Sequence, residues 1–388
     1  MTGRGAGAMI GGLVAMTLDP SVLRQLGENR RTVVVTGTNG KSTTTRMTAA
    51  ALRTLGPVAT NAEGANMDAG LVAALAANRQ AGLAALEVDE MHVPHVADAV
   101  DPGAVVLLNL SRDQLDRVGE INLIERTLRT GLARHPTAVV VANCDDVLMT
   151  SAAYDCPNVV WVAAGGSWAN DSVSCPRSGE VIVREQGHWY STGADFKRPS
   201  PQWWFDADTL YGPDGLALPM QLALPGSVNR GNAAQAIAAA VALGVDPGEA
   251  VAAVSRVDEV AGRYRTVRLG QHEARILLAK NPAGWQEALS MVDKHAAGVV
   301  ISVNGQVPDG EDLSWLWDVR FEHFEETAVV AAGERGTDLA VRLGYAGVQH
   351  TLMHDTLAAI ASCPPGRVEV VANYTAFLQL QRKLGRHG

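Results

Sequence analysis

Arg31-Thr32-Val33-Val34-Val35-Thr36-Gly37-Thr38-Asn39-Gly40-Lys41-Ser42-Thr43 decides how the rest of the chain is read. A β-branched run meets a short loop with two glycines, and a helix-forming stretch to Leu55 follows, so the order is strand, loop, helix. Consecutive strand formers suit a central parallel strand buried on both faces. The small loop residues let backbone N–H groups converge on an anion at the helix N-terminus. Gly37, Thr38, Asn39, Gly40, Lys41, Ser42 and Thr43 are therefore expected to bind ATP, with Lys41 neutralising phosphate charge and Ser42 holding Mg²⁺. The general phosphate-loop pattern wants a glycine five residues before Gly40, where this chain has Val35, so the loop is a shorter variant.

Composition bounds the rest. A chain of 388 residues suggests two or three domains. With 47% hydrophobic and 19% charged residues it reads as a globular enzyme. A net charge of −9 and the lack of a basic run interleaved with aromatics argue against a nucleic-acid partner. Residues 5–18 are apolar but glycine-rich and shorter than the length needed to cross a bilayer, so a cytoplasmic chain without a transmembrane segment is expected. Cys144, Cys156, Cys175 and Cys363 show no close pairing, and reduced thiols are expected.

Strand-like runs recur at residues 84–88, 104–109 and 138–142 between helical stretches. This is the alternation of a parallel sheet with crossover helices, in which ligands gather at the carboxyl ends of strands. Polar residues fall at those ends: Glu87-Val88-Asp89-Glu90, Asn109-Leu110-Ser111-Arg112-Asp113-Gln114-Leu115-Asp116, and Asn143-Cys144-Asp145-Asp146. Glu87 is the expected second protein ligand of the Mg²⁺. An acidic turn facing solvent would look the same.

Gly37-Thr-Asn-Gly-Lys-Ser42, Glu87, Asn109 and Asn143-x-Asp-Asp together resemble the Mur ligase family, and Asn109-Leu-Ser-Arg-Asp-Gln-Leu-Asp116 is similar to its MurT branch, the ligase subunit of lipid II isoglutaminyl synthases. Gln114 stands where most of the family has a metal-binding His. Leu224-Pro-Gly-Ser-Val-Asn-Arg-Gly-Asn232 resembles the segment that offers an amide to adenine, which makes Asn232 the candidate for that contact; a helix cap is the alternative. Gly262-Arg263 is similar to the family's hinge, whose arginine reaches ATP phosphates. The resemblance implies an α/β fold. A Mur ligase-like ATPase domain with a parallel sheet spans residues 1–262, and a smaller Rossmann-like domain spans 263–388. About thirty residues precede the loop, too few for the family's UDP-binding domain.

Residues 165–201 break the α/β rhythm and are expected to form an insertion. MurT relatives resemble a four-cysteine zinc ribbon here. In this chain only Cys175 remains of the expected ligands, with Ser178, Ser191 and Ala194 in the other places. Tetrahedral zinc needs four good ligands, so the insertion is expected to fold without zinc, leaning on Trp168, Trp189, Trp203 and Trp204.

In the second domain, Lys280-Asn-Pro-Ala-Gly-Trp285 and Gly333-x-Arg-x-x-Asp-x-x-x-Arg342 also resemble the MurT branch. Asp309, Asp312 and Asp318 lie in one acidic, tryptophan-bearing segment, and the resemblance implies that one of them, foremost Asp312, completes a Cys-His pair in a partner glutaminase. An acidic turn anchored by its tryptophans is the alternative.

The implied activity is ATP-dependent amidation of the α-carboxyl of D-glutamate in lipid II. The acceptor would be met at the inner membrane face, and ammonia would come from a GatD-like glutaminase subunit in a heterodimer. Alternatives are an amino-acid-adding ligase of the Mur or folylpolyglutamate type, or an ATP-binding subunit that has lost catalysis.

Overall fold

The computed structural model describes residues 4–61, 64–112, 120–166, 171–258, 264–293, 295–324 and 329–385. The chain forms two compact units that divide at Asp258.

The first unit is built on one sheet. Its strands are β1 (Arg31–Thr36), β2 (Val58–Thr60), β3 (Leu83–Glu87), β4 (Ala104–Leu107), β5 (Val139–Asn143), β6 (Val159–Ala163), β9 (Trp203–Asp206), β10 (Thr209–Tyr211) and β11 (Ala217–Pro219), with a separate hairpin of β7 (Ile182–Glu185) and β8 (His188–Ser191). The large sheet runs β11-β10-β9-β6-β5-β4-β1-β3-β2. It is parallel from β2 to β9, and β10 and β11 are antiparallel. β1 has five of its six residues buried, as its Val/Thr run predicts for a strand covered on both faces. The chain moves from β1 to β2 and β3 on one side and then crosses to β4 on the other. The carboxyl end of β1 is thus a topological switch point, where α/β sheets bind their ligands.

The insertion contains the β7–β8 hairpin around a small core of Val147, Cys175, Ile182, Trp189 and Phe196. Of the four tryptophans expected to support it, Trp189 does so, with its ring centroid 5.0 Å from that of Phe196. Trp203 and Trp204 instead belong to β9 of the main sheet, Trp204 stacking on Tyr211 at 5.2 Å. Trp168 lies outside the described residues. The cause is register: the sheet resumes at residue 203, two residues past the expected end of the insertion, and alternation sends Trp203 into the core and Trp204 outward. Residues 4–18 form a 15-residue helix, and among the described residues no helix is long and apolar enough to cross a membrane.

The second unit has a six-stranded sheet of β12 (Tyr264–Leu269), β13 (His272–Leu278), β14 (Gly298–Ser302), β15 (Val329–Ala332), β16 (His350–Leu352) and β17 (Gly366–Ala372). Its order is β12-β13-β17-β14-β15-β16, with only β12 antiparallel to its neighbour. The Lys280–Trp285 motif is explained by packing. Asn281 caps the helix Pro282–Ser290 by accepting from Gly284 N at 2.8 Å, and Trp285 is fully buried against Trp315, with centroids 5.4 Å apart.

Candidate nucleotide site

The loop 37–43 leaves β1 and opens the helix Lys41–Leu52. Gly40 is its N-cap at φ +86°, and a Cβ there would lie 2.7 Å from Asn232 Oδ1; both facts require glycine. Gly37, at φ +138°, packs against Leu108 and Asn109 as closely. Lys41, Ser42 and Thr43 are buried in the first turn.

Asn109, just beyond β4, fixes the loop. Its backbone carbonyl accepts from Thr38 N at 2.9 Å. Its side-chain amide faces the Asn39 peptide in both senses: Oδ1 accepts from Asn39 N and Nδ2 donates to Asn39 O, each at 2.9 Å. Thr38 Oγ1 donates to Ser111 O at 3.1 Å and accepts from Ser111 N at 3.0 Å. The loop is thereby tied to the neighbouring strand end through main-chain and amide groups, which leaves a preorganised cradle.

Lys41 bends back over this cradle. Its Nζ donates to Gly37 O at 2.5 Å and to Thr38 O at 3.4 Å, and forms an ion pair with Glu90 Oε1 at 3.3 Å. The two charged side chains are only 11% and 10% exposed. Glu87 pairs in register with Val35 of β1, which brings it to the same end of the sheet. Its backbone is held by Asn61, which accepts from Glu87 N and donates to Glu87 O at 2.8 Å each. Its carboxylate Oε2 is buried without a hydrogen-bond partner among the described residues. An orphaned buried carboxylate oxygen beside a phosphate cradle is the donor type that Mg²⁺ takes, so Glu87 and Ser42 fit that ion.

Asn229 and Asn232 lie in the first two turns of the helix Ser227–Ala242. Asn232 is buried and set against Gly40 of the loop, with Nδ2 3.4 Å from Asn229 Oδ1. Asn229 in turn donates to Pro225 O at 2.6 Å.

The Asn143–Asp146 segment, also at a strand end, makes contacts that tie parts of the unit together. Asp145 Oδ1 pairs with Arg198 at 2.6 Å and its Oδ2 accepts from Gly165 N at 2.8 Å. Cys144 O accepts from Trp189 Nε1 at 2.9 Å, so this turn fastens the insertion to the sheet. Asp146 caps the helix Val147–Ala153 through Met149 N and also accepts from Leu110 N at 3.0 Å. Burial raises the Asp146 carboxyl to about 6 and the Cys144 thiol to about 12, which leaves Cys144 unsuited to nucleophilic work.

In the insertion, burial tends to raise the Cys175 thiol. The hydroxyls of Ser178 and Ser191 and the backbone N–H groups of Arg177 and Ser178 outweigh this and hold it below its ordinary value. Three of the four ribbon positions therefore still converge, with Ser178 Oγ 3.4 Å from Ser191 Oγ, while Ala194 is exposed. Two hydroxyls and one thiol are a poor zinc set.

In the second unit the three aspartates part company. Asp309 accepts from Thr375 N at 2.9 Å and from Thr375 Oγ1, which ties its loop to the helix Tyr374–Leu384. Asp312 is exposed and, among the described residues, bonds only locally, to Ser314 N and Oγ at 2.8 and 3.0 Å. Asp318 is half-buried at the end of the short helix Ser314–Trp317. Arg342 holds this segment, donating to Leu316 O at 3.1 Å and Val319 O at 2.8 Å and pairing with Glu322 at 2.9 Å. Arg263 and Asp113-Gln114-Leu115-Asp116 lie outside the described residues.

Sequence reasoning missed the tasks of Asn109, Asn61 and Glu90. Each sits at or just past a strand end, which was the available signal, but nothing in the sequence says that their partners are a peptide, a backbone and a lysine.

Comparison with known proteins gives the family. The Mur ligase middle domain family matches residues 35–240, and the MurT ligase C-terminal family matches residues 278–377. The lipid II isoglutaminyl synthase (glutamine-hydrolyzing) subunit MurT of Streptococcus pneumoniae is 28% identical, over 98% of this chain and 93% of its own. The Staphylococcus aureus subunit of the same name is likewise 28% identical, with the same coverage. Among solved structures, a pseudomurein peptide ligase type C from Methanothermus fervidus superposes with a TM-score of 0.72 at 17% identity, over 92% of this chain and 79% of that one. MurF from Acinetobacter baumannii gives 0.68 at 18% identity, over 96% and 80%. At such identities these two speak for the fold alone. The middle-domain match covers more than half of the 388 residues, and the chain belongs to the Mur ligase family, its second unit carrying a C-terminal domain of the MurT type.

Proposed function

We propose that the chain is the ligase subunit of a lipid II isoglutaminyl synthase. It would amidate the α-carboxyl of D-glutamate in the stem peptide of lipid II to give D-isoglutamine. The observation that carries this reading is the clamped phosphate loop, Gly37–Thr43, in a chain that matches MurT subunits along almost its whole length.

A carboxylate is a poor electrophile until one of its oxygens becomes a leaving group. Attack of that oxygen on the γ-phosphorus of ATP releases ADP and leaves an acyl phosphate. Ammonia then attacks the acyl carbon, a proton is lost and phosphate departs. The protein's share is positioning and charge: the N–H groups at the start of the helix, which Asn109 does not engage, and Lys41 hold the phosphates. Ser42 and Glu87 would hold Mg²⁺, which adds positive charge to the transferring phosphoryl group. Asn232, beside the loop, is offered for adenine, and Arg263 for the phosphates.

Ammonia is assigned to a GatD-like glutaminase partner in the cytoplasm, and lipid II to the inner membrane face. Of the three aspartates, Asp312 is preferred for the partner's Cys-His pair, because Asp309 is committed to Thr375 and Asp312 is exposed, bonded among the described residues to nearby Ser314.

The test compares glutamine with ammonium as nitrogen source in the complex carrying Asp312→Asn. Loss with glutamine and retention with ammonium are expected. Equal loss with both would move Asp312 into ATP or acceptor binding, and no loss would leave its loop an acidic turn.

A further inference from the structure

Lys41 and Glu90 form an ion pair nine-tenths removed from solvent, against the loop whose Gly37 carbonyl also accepts from Lys41. A buried pair tolerates its desolvation only while both partners are present. Nucleotide phosphate would draw the same ammonium group, so Glu90 and phosphate are rival partners for one cation. A nucleotide that takes Lys41 without bringing a cation strands a buried carboxylate beside its own negative charge. A nucleotide that arrives with a divalent cation does not, since the strand end that carries Glu90 also carries Glu87, whose Oε2 has no partner among the described residues.

From this geometry we infer that Glu90 is a positioning residue that makes the loop discriminate against metal-free nucleotide, by holding Lys41 until phosphate and metal arrive together. The inference rests on the reading of Gly37–Thr43 as a nucleotide loop, and it adds a specificity to that reading. Glu90 need touch neither phosphate nor metal for the effect, because it acts through Lys41.

The measurement is ADP affinity of the full chain by calorimetry, in EDTA and in excess Mg²⁺, for the wild type and Glu90→Gln. The amide keeps the bulk of Glu90 and removes its charge. Metal-free ADP should bind the variant on the order of tenfold more tightly than it binds the wild type, and Mg-ADP should change far less, so the gain from Mg²⁺ shrinks. An unchanged ratio between the two conditions, or a variant that binds metal-free ADP more weakly, would overturn the inference and reduce Glu90 to a neutraliser of Lys41. Wild-type protein that binds ADP in neither condition would instead sink the nucleotide-site reading. Should Glu90→Gln fail to fold, Glu90→Asp enters the same assay: it keeps the charge but draws it one methylene back from Lys41, so the ratio should move the same way by less, and no movement counts against the inference.

Discussion

Lys41 is both a ligand for phosphate and half of a buried ion pair, and the second role changes what its removal should do. From sequence alone a phosphate-loop lysine faces its ligand, and Lys41→Ala should cost activity with little loss of folding. The structure adds Glu90 at 3.3 Å. Deleting the lysine leaves a buried carboxylate uncompensated, a change that costs about 3 kcal/mol in comparable pairs. Lys41→Ala should therefore lose ATP turnover and also unfold at lower denaturant, while the double variant with Glu90→Gln should regain most of the stability and none of the turnover. Asn109 makes a second claim at this scale. Asn109→Asp keeps an acceptor for Asn39 N but sets a carboxylate oxygen against Asn39 O where an N–H donated. It should cost about 1–3 kcal/mol of stability and raise the KM for ATP, as denaturation and steady-state kinetics would show. A stable variant with wild-type KM would mean that the clamp does not shape the loop. Glu87→Gln should lower turnover in a way that added Mg²⁺ partly restores; indifference to Mg²⁺ would remove Glu87 from the metal site.

At the scale of elements, β1, its loop and the following helix could be read from sequence because a single pattern specifies them: a β-branched run, two glycines that must adopt positive φ, and a helix start. The short strands β9 to β11 could not, since three- and four-residue strands carry too few alternations to register. The task of the Asn143–Asp146 turn could not be read for a related reason: position at a strand end is shared by ligand residues and by residues that anchor an insertion, and the partners Arg198, Trp189 and Leu110 show the second. Arg342 shows the same limit. Its place in a Gly-x-Arg-x-x-Asp-x-x-x-Arg pattern says nothing of its buried guanidinium, which holds the carbonyls of Leu316 and Val319 and lies over the rings of Trp317 and Phe321. Arg342→Met keeps much of the apolar stem but orphans both carbonyls, and should destabilise the second unit by about 2–4 kcal/mol. Because Asp312 sits on the segment that Arg342 holds, glutamine-driven amidation should fall further than ammonium-driven amidation. Equal loss with both nitrogen sources would show that Arg342 matters to the whole unit rather than to this segment.

For the molecule as a whole, stability should carry the signature of Asp146. Most buried carboxylates in salt bridges titrate below their ordinary value and stabilise the fold as pH rises. Asp146 is the reverse case: burial lifts it to about 6 from an ordinary 3.8, despite the N–H groups of Met149 and Leu110. Between those two values the native state keeps a proton that the unfolded chain has released, so the unfolding free energy falls as pH rises. The contribution is complete below the unfolded value and is lost as pH passes through the folded one. From pH 5 to pH 7.5 the loss amounts to about 1.4 kcal/mol. Asp146→Asn cannot titrate. Its carbonyl oxygen can still cap the helix through Met149 N, but its amide then faces Leu110 N donor to donor, so the variant should be less stable than the wild type at pH 5. That deficit should narrow by the same amount at pH 7.5, where the wild type carries a buried charge and the variant does not. Chemical denaturation of both proteins at the two pH values gives the difference directly. A deficit independent of pH would place the Asp146 carboxyl at its ordinary value in the folded chain, and a deficit that widens with pH would mean that Met149 and Leu110 outweigh burial and stabilise the ionised form.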